Sequence, residues 1–596
     1  MTVTAEVPLI TTAAALCVVA LLLTLHERIA RRATWLPAVA LIAGAVAVGA
    51  PLVLAPFVDP TRAGGVLWEW SAAGGPTIHA SYRFDGVAVI ATAVGAAYAV
   101  AALFGAHRTT RRHALLPGAL LAIGIAFGAL AVTEDLIAAS VVLGILAALT
   151  VLGAVAVAPL PATTRVAAYL AVGLEFFVLA ALLVSRAGGA SYRFDAILPT
   201  AVSPGVVFAG AVGAALFAGL YPFVPWRYER AQARAAEREP LRGIITMSAG
   251  AGATLVLLRL VGVTRADVTS IPLPSLSDAV RVGSVLTIAV LVALAALRGR
   301  AIPRRGLVIG GTFASLVALY PALHWSHLVL FAVIATVAYA AAVSLAVPER
   351  WEVVRYDVTL AAIWAAIALG TPVGVAGALF LLVADAFGTV ATSIWMPPHR
   401  AYLATAAGAT LSVSGILVIL IGAVSATDAV ASALALFAML AILALVLIHV
   451  GRRLDLASVP LELDAAAATV AVLATVLLSL LLALPLYQGV TVVAGRPFAP
   501  AVAGAGLFVP AIGAVATLLV VVARSIRPFA PDLTPFATRL RAVVAVADPV
   551  PAGLAIFRAL DLVASRSSDG FAAIERRGGV WLAAGLIGAV LVWSVR

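Results

Sequence analysis

The chain has 596 residues, 63% of them hydrophobic and 11% charged, against roughly 45–50% apolar and about 25% charged in an ordinary soluble domain; this is a membrane protein. All 38 lysine-or-arginine positions are arginine, which excludes a P-loop nucleotide site and Schiff-base chemistry, since both need the lysine amine. The single cysteine, Cys17, excludes an intrachain disulfide, a cysteine-held iron–sulfur cluster and a CxxC metal or redox site, so no cofactor is expected on the chain.

A spanning helix needs ~20 mostly apolar residues to cross ~30 Å of hydrocarbon. Stretches of about that length occur at 7–26, 35–57, 83–106, 114–133, 136–157, 164–185, 202–222, 240–261, 279–298, 304–321, 325–347, 356–371, 372–396, 402–424, 427–450, 465–488, 500–523 and 578–595. Only Gly370-Thr371-Pro372 separates 356–371 from 372–396, so the expected fold is an all-α polytopic membrane protein of 16–18 transmembrane helices. The first stretch does not read as a cleavable signal, because the arginines follow it. In the eighteen-helix reading, 29 arginines fall in one set of alternate loops and nine on the other side. The arginine-rich loops are therefore expected in the cytoplasm and both termini outside. Arg355 is counted with these loops.

Three divisions follow: a membrane core over 1–523, a cytoplasmic or interfacial segment over 524–577 and a last helix over 578–596. The loop 58–82, with Trp68-Glu69-Trp70 and then Gly74-Gly75-Pro76, is expected to form a hairpin on the membrane with its tryptophans at headgroup depth. Residues 551–576 alternate Leu554, Phe557, Leu560 and Phe571 with Arg558, Asp561, Arg566 and Asp569, reading either as an interfacial amphipathic helix or as an irregular arginine-rich loop. Residues 80–85 and 190–195 are the same hexapeptide, Ala-Ser-Tyr-Arg-Phe-Asp, each expected outside. Such a match exceeds what composition produces by chance.

From 62 to about 347, the order of motifs resembles the antiporter-like membrane subunits shared by respiratory complex I (NADH-quinone oxidoreductase), membrane-bound hydrogenases and multisubunit cation/proton antiporters. Tyr82-Arg83-Phe84-Asp85-Gly86 is similar to the family's "lDgLs" entry to the third helix. Glu134-Asp135-Leu136 matches its polar-Asp-Leu start to the fifth, and Tyr221-Pro222-Phe223-Val224-Pro225-Trp226 its "PfHxWLP" turn after the seventh. Pro240 to Arg259 resembles its eighth helix, and Arg300-Ala301-Ile302-Pro303-Arg304-Arg305 falls where the family has "DlKRvLAyS". Asp85, Asp135, Pro222, Trp226 and Arg259 are thus the family-motif positions. The resemblance implies an inverted-repeat core and a C-terminal amphipathic helix. It also implies other membrane and hydrophilic subunits of a respiratory complex as partners, alongside the bilayer, and no nucleic acid.

The departures from the family bear on mechanism. The family's membrane-embedded glutamate and lysine fall here on Gly144 and Phe217, and its "HAlfK" helix reads Ala335-Thr336-Val337-Ala338-Tyr339. A GC-rich genome explains arginine for lysine in loops, not phenylalanine for lysine in a helix. An embedded relay needs groups that can be charged or neutral near neutral pH, and glycine and phenylalanine are neither.

Two ionisable side chains lie well inside apolar stretches, Glu175 and Asp385. Each reads either as an acid holding helices together or as part of a proton route, and any arginine partner must come from another helix. His449 is expected at the interface. Pro222 and Pro225 either end a helix at the cytoplasmic surface or free carbonyls for a polar path.

The expected function is a divergent antiporter-like, proton-translocating-type subunit of a complex I-like or hydrogenase-like oxidoreductase in the cell membrane. It would not be catalytic alone. It would serve as a structural spacer or conduct by a shortened route through Glu175 and Asp385. Two rivals remain. One is a stand-alone secondary transporter or lipid-linked flippase; the other is a membrane glycosyltransferase using the adjacent acids Glu134 and Asp135.

Overall fold

The computed structural model describes residues 4–29, 35–58, 63–71, 77–108, 116–157, 160–187, 191–220, 223, 239–263, 325–345, 350–394, 401–456 and 535–540. Within them run α1 (Glu6–Arg28), α2 (Leu36–Leu54), strands β1 (Gly64–Ser71) and β2 (Thr77–Arg83), α3 (Gly86–Arg108), α4 (Leu116–Val132), α5 (Leu136–Val157), α6 (Leu160–Arg186), α7 (Pro204–Ala218) and α8 (Glu239–Val263). Then follow α9 (Trp325–Ser344), α10 (Trp351–Leu369), α11 (Pro372–Ile394), α12 (Ala401–Val424) and α13 (Ala429–Leu456).

Among the described residues nine helices are long and apolar enough to cross a membrane, and α4 and α7 are shorter apolar helices. This is an all-α, multi-pass architecture. The expected helices at 279–298, 304–321, 465–488, 500–523 and 578–595, the segment 551–576, and Pro222, Pro225 and Trp226 lie outside the described residues.

Burial divides the helices into two sets. The spanning windows of α3, α8 and α11 are 94%, 83% and 81% buried, whereas those of α1, α2, α6 and α13 are between 33% and 39%. A helix apolar all round is either enclosed by others or faces lipid on one side, and the chain uses both. α3 is the hub, packing against α1, α2, α4, α8 and α11. Small residues let helices approach where packing alone drives association: a Cβ on Gly422 of α12 would sit 2.6 Å from the Gly374 Cα of α11.

The helix ends follow local chemistry. α3 begins at Gly86 and not at 83, because the Asp85 Oδ1 accepts the Ala88 N–H at 2.8 Å and so caps the first turn. α7 stops at Ala218, short of the expected 222, at Gly219 with φ 64°. Gly370, φ 69°, ends α10, and α11 starts two residues later; the two short stretches are separate helices. α10, however, begins at Trp351, so Arg355 is a helical residue and not a loop arginine.

The expected hairpin is a two-stranded antiparallel sheet, β1 on β2, with a bulge between Val66 and Trp68. Trp68 and Trp70 are exposed on it.

Candidate functional site

The two copies of the hexapeptide meet. The end of β2 carries the first, the stretch after α6 the second, and the acidic pair between α4 and α5 lies between them. The Glu134 N–H donates to the Ser81 carbonyl at 3.1 Å, the Phe194 N–H to the Glu134 carbonyl at 2.9 Å and the Leu136 N–H to the Tyr192 carbonyl at 2.9 Å. Side chains repeat this pairing: Arg83 reaches one oxygen of the Glu134 carboxylate and Arg193 the other, each at 3.3 Å. Arg193 also holds Asp195 at 2.8 Å.

Glu134 and Asp135 are nearly inaccessible. Burial, with Asp195 nearby, pushes the Glu134 carboxyl above its ordinary value, and Arg193 and Arg83 pull it back only in part. Asp135 is also pushed up by burial, against the N–H groups of Ala138, His79 and Ile137. Its Oδ1 caps α5, accepting from Ile137 and Ala138 at 2.8 and 3.0 Å, while Oδ2 accepts the His79 N–H of β2 at 3.1 Å. All four oxygens of this acidic pair are thus engaged, Glu134 Oε1 and Asp135 Oδ2 by β2, Glu134 Oε2 by Arg193 after α6 and Asp135 Oδ1 by the first turn of α5.

Asp85, the third acid of this end, pairs bidentately with Arg259 of α8 at 3.0 and 3.1 Å, and Arg259 also donates to the Ala131 carbonyl at 2.9 Å. Of the family-motif positions, Asp85 and Arg259 therefore fasten α3, α4 and α8 together, and Asp135 ties the start of α5 to β2.

Deep in the bundle lies a second polar cluster. Asp385 on α11 accepts the Tyr98 hydroxyl of α3 at 2.7 Å and Nη1 of Arg355, from α10, at 3.2 Å. The other guanidinium nitrogen donates to the Tyr356 hydroxyl at 2.7 Å and to Thr389 at 2.9 Å. The guanidinium carbon also lies 4.3 Å from the centre of the Tyr356 ring, a cation–π distance. The side chains of Arg355 and Asp385 are 17% and 4% exposed, so this is a buried, hydrogen-bonded ion pair joining three helices.

Sequence reasoning singled out Asp385 and required a partner from another helix, but missed Arg355. The signal available was an arginine one turn before an unbroken apolar run, directly followed by Tyr356. The other expected acid, Glu175, is exposed on α6. α6 packs against α5 and α7, and α11 against α3, α10 and α12; the two carboxylates stand on elements with no common packing face. His449, near the end of α13, is buried within the protein and stacked on Trp351 at the start of α10 with centroids 4.3 Å apart. Its Nε2 lies 2.9 Å from the Ser344 hydroxyl. That hydroxyl's proton goes to the Ala340 carbonyl at 2.7 Å, so His449 donates.

Phe217 is packed in the core and Gly144 is half-buried. Phe217 stands edge-on to Phe177 with centroids 6.2 Å apart. Where Phe217 crosses α6, a Cβ on Gly173 would meet its ring at 2.8 Å. Gly144 faces Leu174, 3.3 Å from where a Cβ would be.

No protein-family model and no curated protein matches the sequence. Solved structures do match the fold. A chain of the Mrp complex from Dietzia sp. DQ12-45-1b superposes with a TM-score of 0.56 at 15% identity, covering 100% of this chain and 63% of that one; the present chain thus spans under two thirds of that relative's length. A chain of the membrane-bound sulfane sulfur reductase, an archaeal respiratory membrane complex, gives 0.53 at 13% identity, covering 98% of this chain and 99% of that one. A chain of respiratory complex I from Thermus thermophilus gives 0.45 at 17%, covering 90% and 99%. The class is a polytopic helical membrane protein. The fold, more closely, is that of the antiporter-like membrane subunits, the one the motif order resembles.

Proposed function

We propose that the chain is a membrane subunit of a multisubunit complex of the respiratory or cation/proton antiporter type, built as a scaffold and not as a proton pump. It would sit in the cell membrane with the hairpin end and both termini outside, packed beside other membrane and hydrophilic subunits that carry the redox chemistry. Residues 1–523 would form the membrane core, with 524–577 bracing it against its neighbours and 578–596 as the last crossing.

The observation carrying this reading is the Arg355–Asp385 pair. A guanidinium does not release its proton at physiological pH, and both Asp385 oxygens are occupied, one by the Tyr98 hydroxyl of α3 and one by Arg355 of α10. Such a pair fixes three helices; a relay needs groups that change state. Phe217, in the aromatic core, and Gly144, which carries no side chain, support the same conclusion.

The test is a proton leak. The full chain reconstituted into liposomes with an imposed pH gradient should dissipate it no faster than protein-free liposomes. A faster leak that Asp385→Asn abolishes would replace the scaffold with a shortened proton route.

A further inference from the structure

The face of α6 that turns away from the bundle is apolar except at one point. Glu175 stands midway between Thr163 and Arg186, the ends of the helix's spanning stretch, and its side chain is exposed. At helical spacing around it are Val172, Val178, Leu179 and Leu182, all exposed, so the carboxylate and these aliphatics share one face. α5 extends that face at the same level. Its Gly144 stands against Leu174, the residue before Glu175, 3.3 Å from where a Cβ would be, and Val141 and Ile145 on the same helix are exposed. Among the described residues no hydrogen bond or ion pair reaches Glu175.

Acidic side chains in spanning helices almost always face a bundle interior or an aqueous cavity and pair there. Asp385, held by Arg355 and Tyr98, does so in this chain. Hydrocarbon offers Glu175 neither water nor a counter-charge, and lipid headgroups are half a bilayer away, so the group that answers it must come from a second protein at the same depth. A second copy of the chain cannot bring it. The chain has no lysine, and in all its apolar stretches of spanning length arginine and histidine stand only near the ends. Arg259 and Arg355, which reach into the described bundle, are already paired with Asp85 and Asp385.

We propose that the outer face of α5 and α6 docks a spanning helix of a different membrane subunit, one that carries a lysine or arginine at mid-depth, and that this cation pairs with Glu175. The aliphatic side chains supply the packed contact. The carboxylate supplies the selection, because a helix without the cation would leave it unanswered in hydrocarbon. This rests on the reading of the chain as a membrane subunit and states what one of its neighbours must carry.

The experiment is native gel electrophoresis of membranes of the source organism, solubilised in mild detergent, with the full chain as wild type, Glu175→Asp or Glu175→Gln. Wild type should run in an assembly larger than the chain, and that assembly should contain a subunit with lysine or arginine in the middle of a spanning stretch. Glu175→Gln keeps the shape but cannot form an ion pair, and should lower the assembled fraction roughly tenfold or more, the usual loss when one member of a buried charge pair is removed; Glu175→Asp should keep most of it. Dicyclohexylcarbodiimide, which reaches carboxyl groups from the lipid phase, gives a second measurement. Mass spectrometry should find Glu175 modified in the purified chain and protected in the native membrane. An assembled fraction unchanged in Glu175→Gln, equal modification in both settings, or an assembly with no such basic residue would each overturn the proposal while leaving the chain a subunit. A lower melting temperature for purified Glu175→Gln would overturn it too, by showing that the residue serves the chain's own fold. Wild type running alone would overturn the subunit reading along with it.

Discussion

Arg83 and Arg193 hold the same place in two identical hexapeptides and grip opposite oxygens of one carboxylate, Glu134, each at 3.3 Å. Because burial outweighs the two arginines, the carboxyl binds its proton more tightly when folded than its ordinary value of 4.5. A raised folded value contributes stability that is complete below 4.5 and is lost as pH rises through the folded value. Glu134→Gln removes that titration. Across about pH 4 to 7, the melting temperature of Glu134→Gln minus that of wild type should climb with pH; a flat difference would show that the carboxyl does not titrate in this window.

Asp135, next to it, does different work. Asp135→Ala strips the cap from α5 and the tie to His79 on β2, and should cost about 1–2 kcal/mol. Faster amide hydrogen exchange at His79 and at Ile137 and Ala138 should accompany the loss, while Asp135→Asn should keep most of the cap.

The buried pair makes a sharper case. Arg355→Leu leaves the Asp385 carboxylate buried without its cation, a change that costs about 3–5 kcal/mol. The double variant Arg355→Leu/Asp385→Leu should recover much of it, because two apolar side chains leave nothing stranded. Thermal unfolding of the two single variants and the double in detergent gives the coupling directly; additive losses would mean that the two residues do not act as a pair.

The loop acid Asp428 shifts the other way. Burial pushes its carboxyl up, but the Ala431 N–H and His327, 2.7 Å away, more than offset this and hold it below 3.8. A depressed value contributes stability that is present above 3.8 and lost as pH falls through the folded value. His327→Gln should therefore lose part of the wild type's extra stability above pH 3.8, with the gap closing on acidification. A gap that widens in acid would contradict the assignment.

At the departed lysine position, Phe217→Lys should be poorly tolerated. Losing a buried phenylalanine costs about 3–5 kcal/mol, and the replacing ammonium would enter a gap lined by Gly173 and Phe177. Expression and melting temperature should both fall, with no gain in proton leak.

Length and polarity made the helices readable, because an apolar run of spanning length has few other fates. The turn at Gly370-Thr371 was legible only in part: so short a break left sixteen to eighteen helices open, and the left-handed Gly370 settles it as the end of α10. The first turn of α10 was not legible. Trp351 and Arg355 look like loop composition until α11 folds back and supplies Asp385. Likewise the repeated hexapeptide signalled a relation, yet only the tertiary fold shows that Glu134 is what the two copies share. Asp385 could be singled out from its apolar surroundings; Tyr98, nearly three hundred positions earlier, carried no local mark at all. The stacking of His449 on Trp351, a residue of another helix, was unmarked for the same reason.

Only Gly370 and Thr371 connect α10 to α11, and that brevity governs how the segment can be made. Two residues cannot form a loop that waits outside while one arm settles, so the arms must enter the bilayer together as a hairpin. Entering singly, an unpaired Asp385, near the middle of α11, would cost about 2.5–3.5 kcal/mol, and Arg355 would lack its partner. Entering joined, they arrive as a neutral couple already facing one another at 3.2 Å. The tight bend thereby makes α10 and α11 a single unit of biogenesis, and lets a sequence with a charge on each arm be threaded into lipid at all.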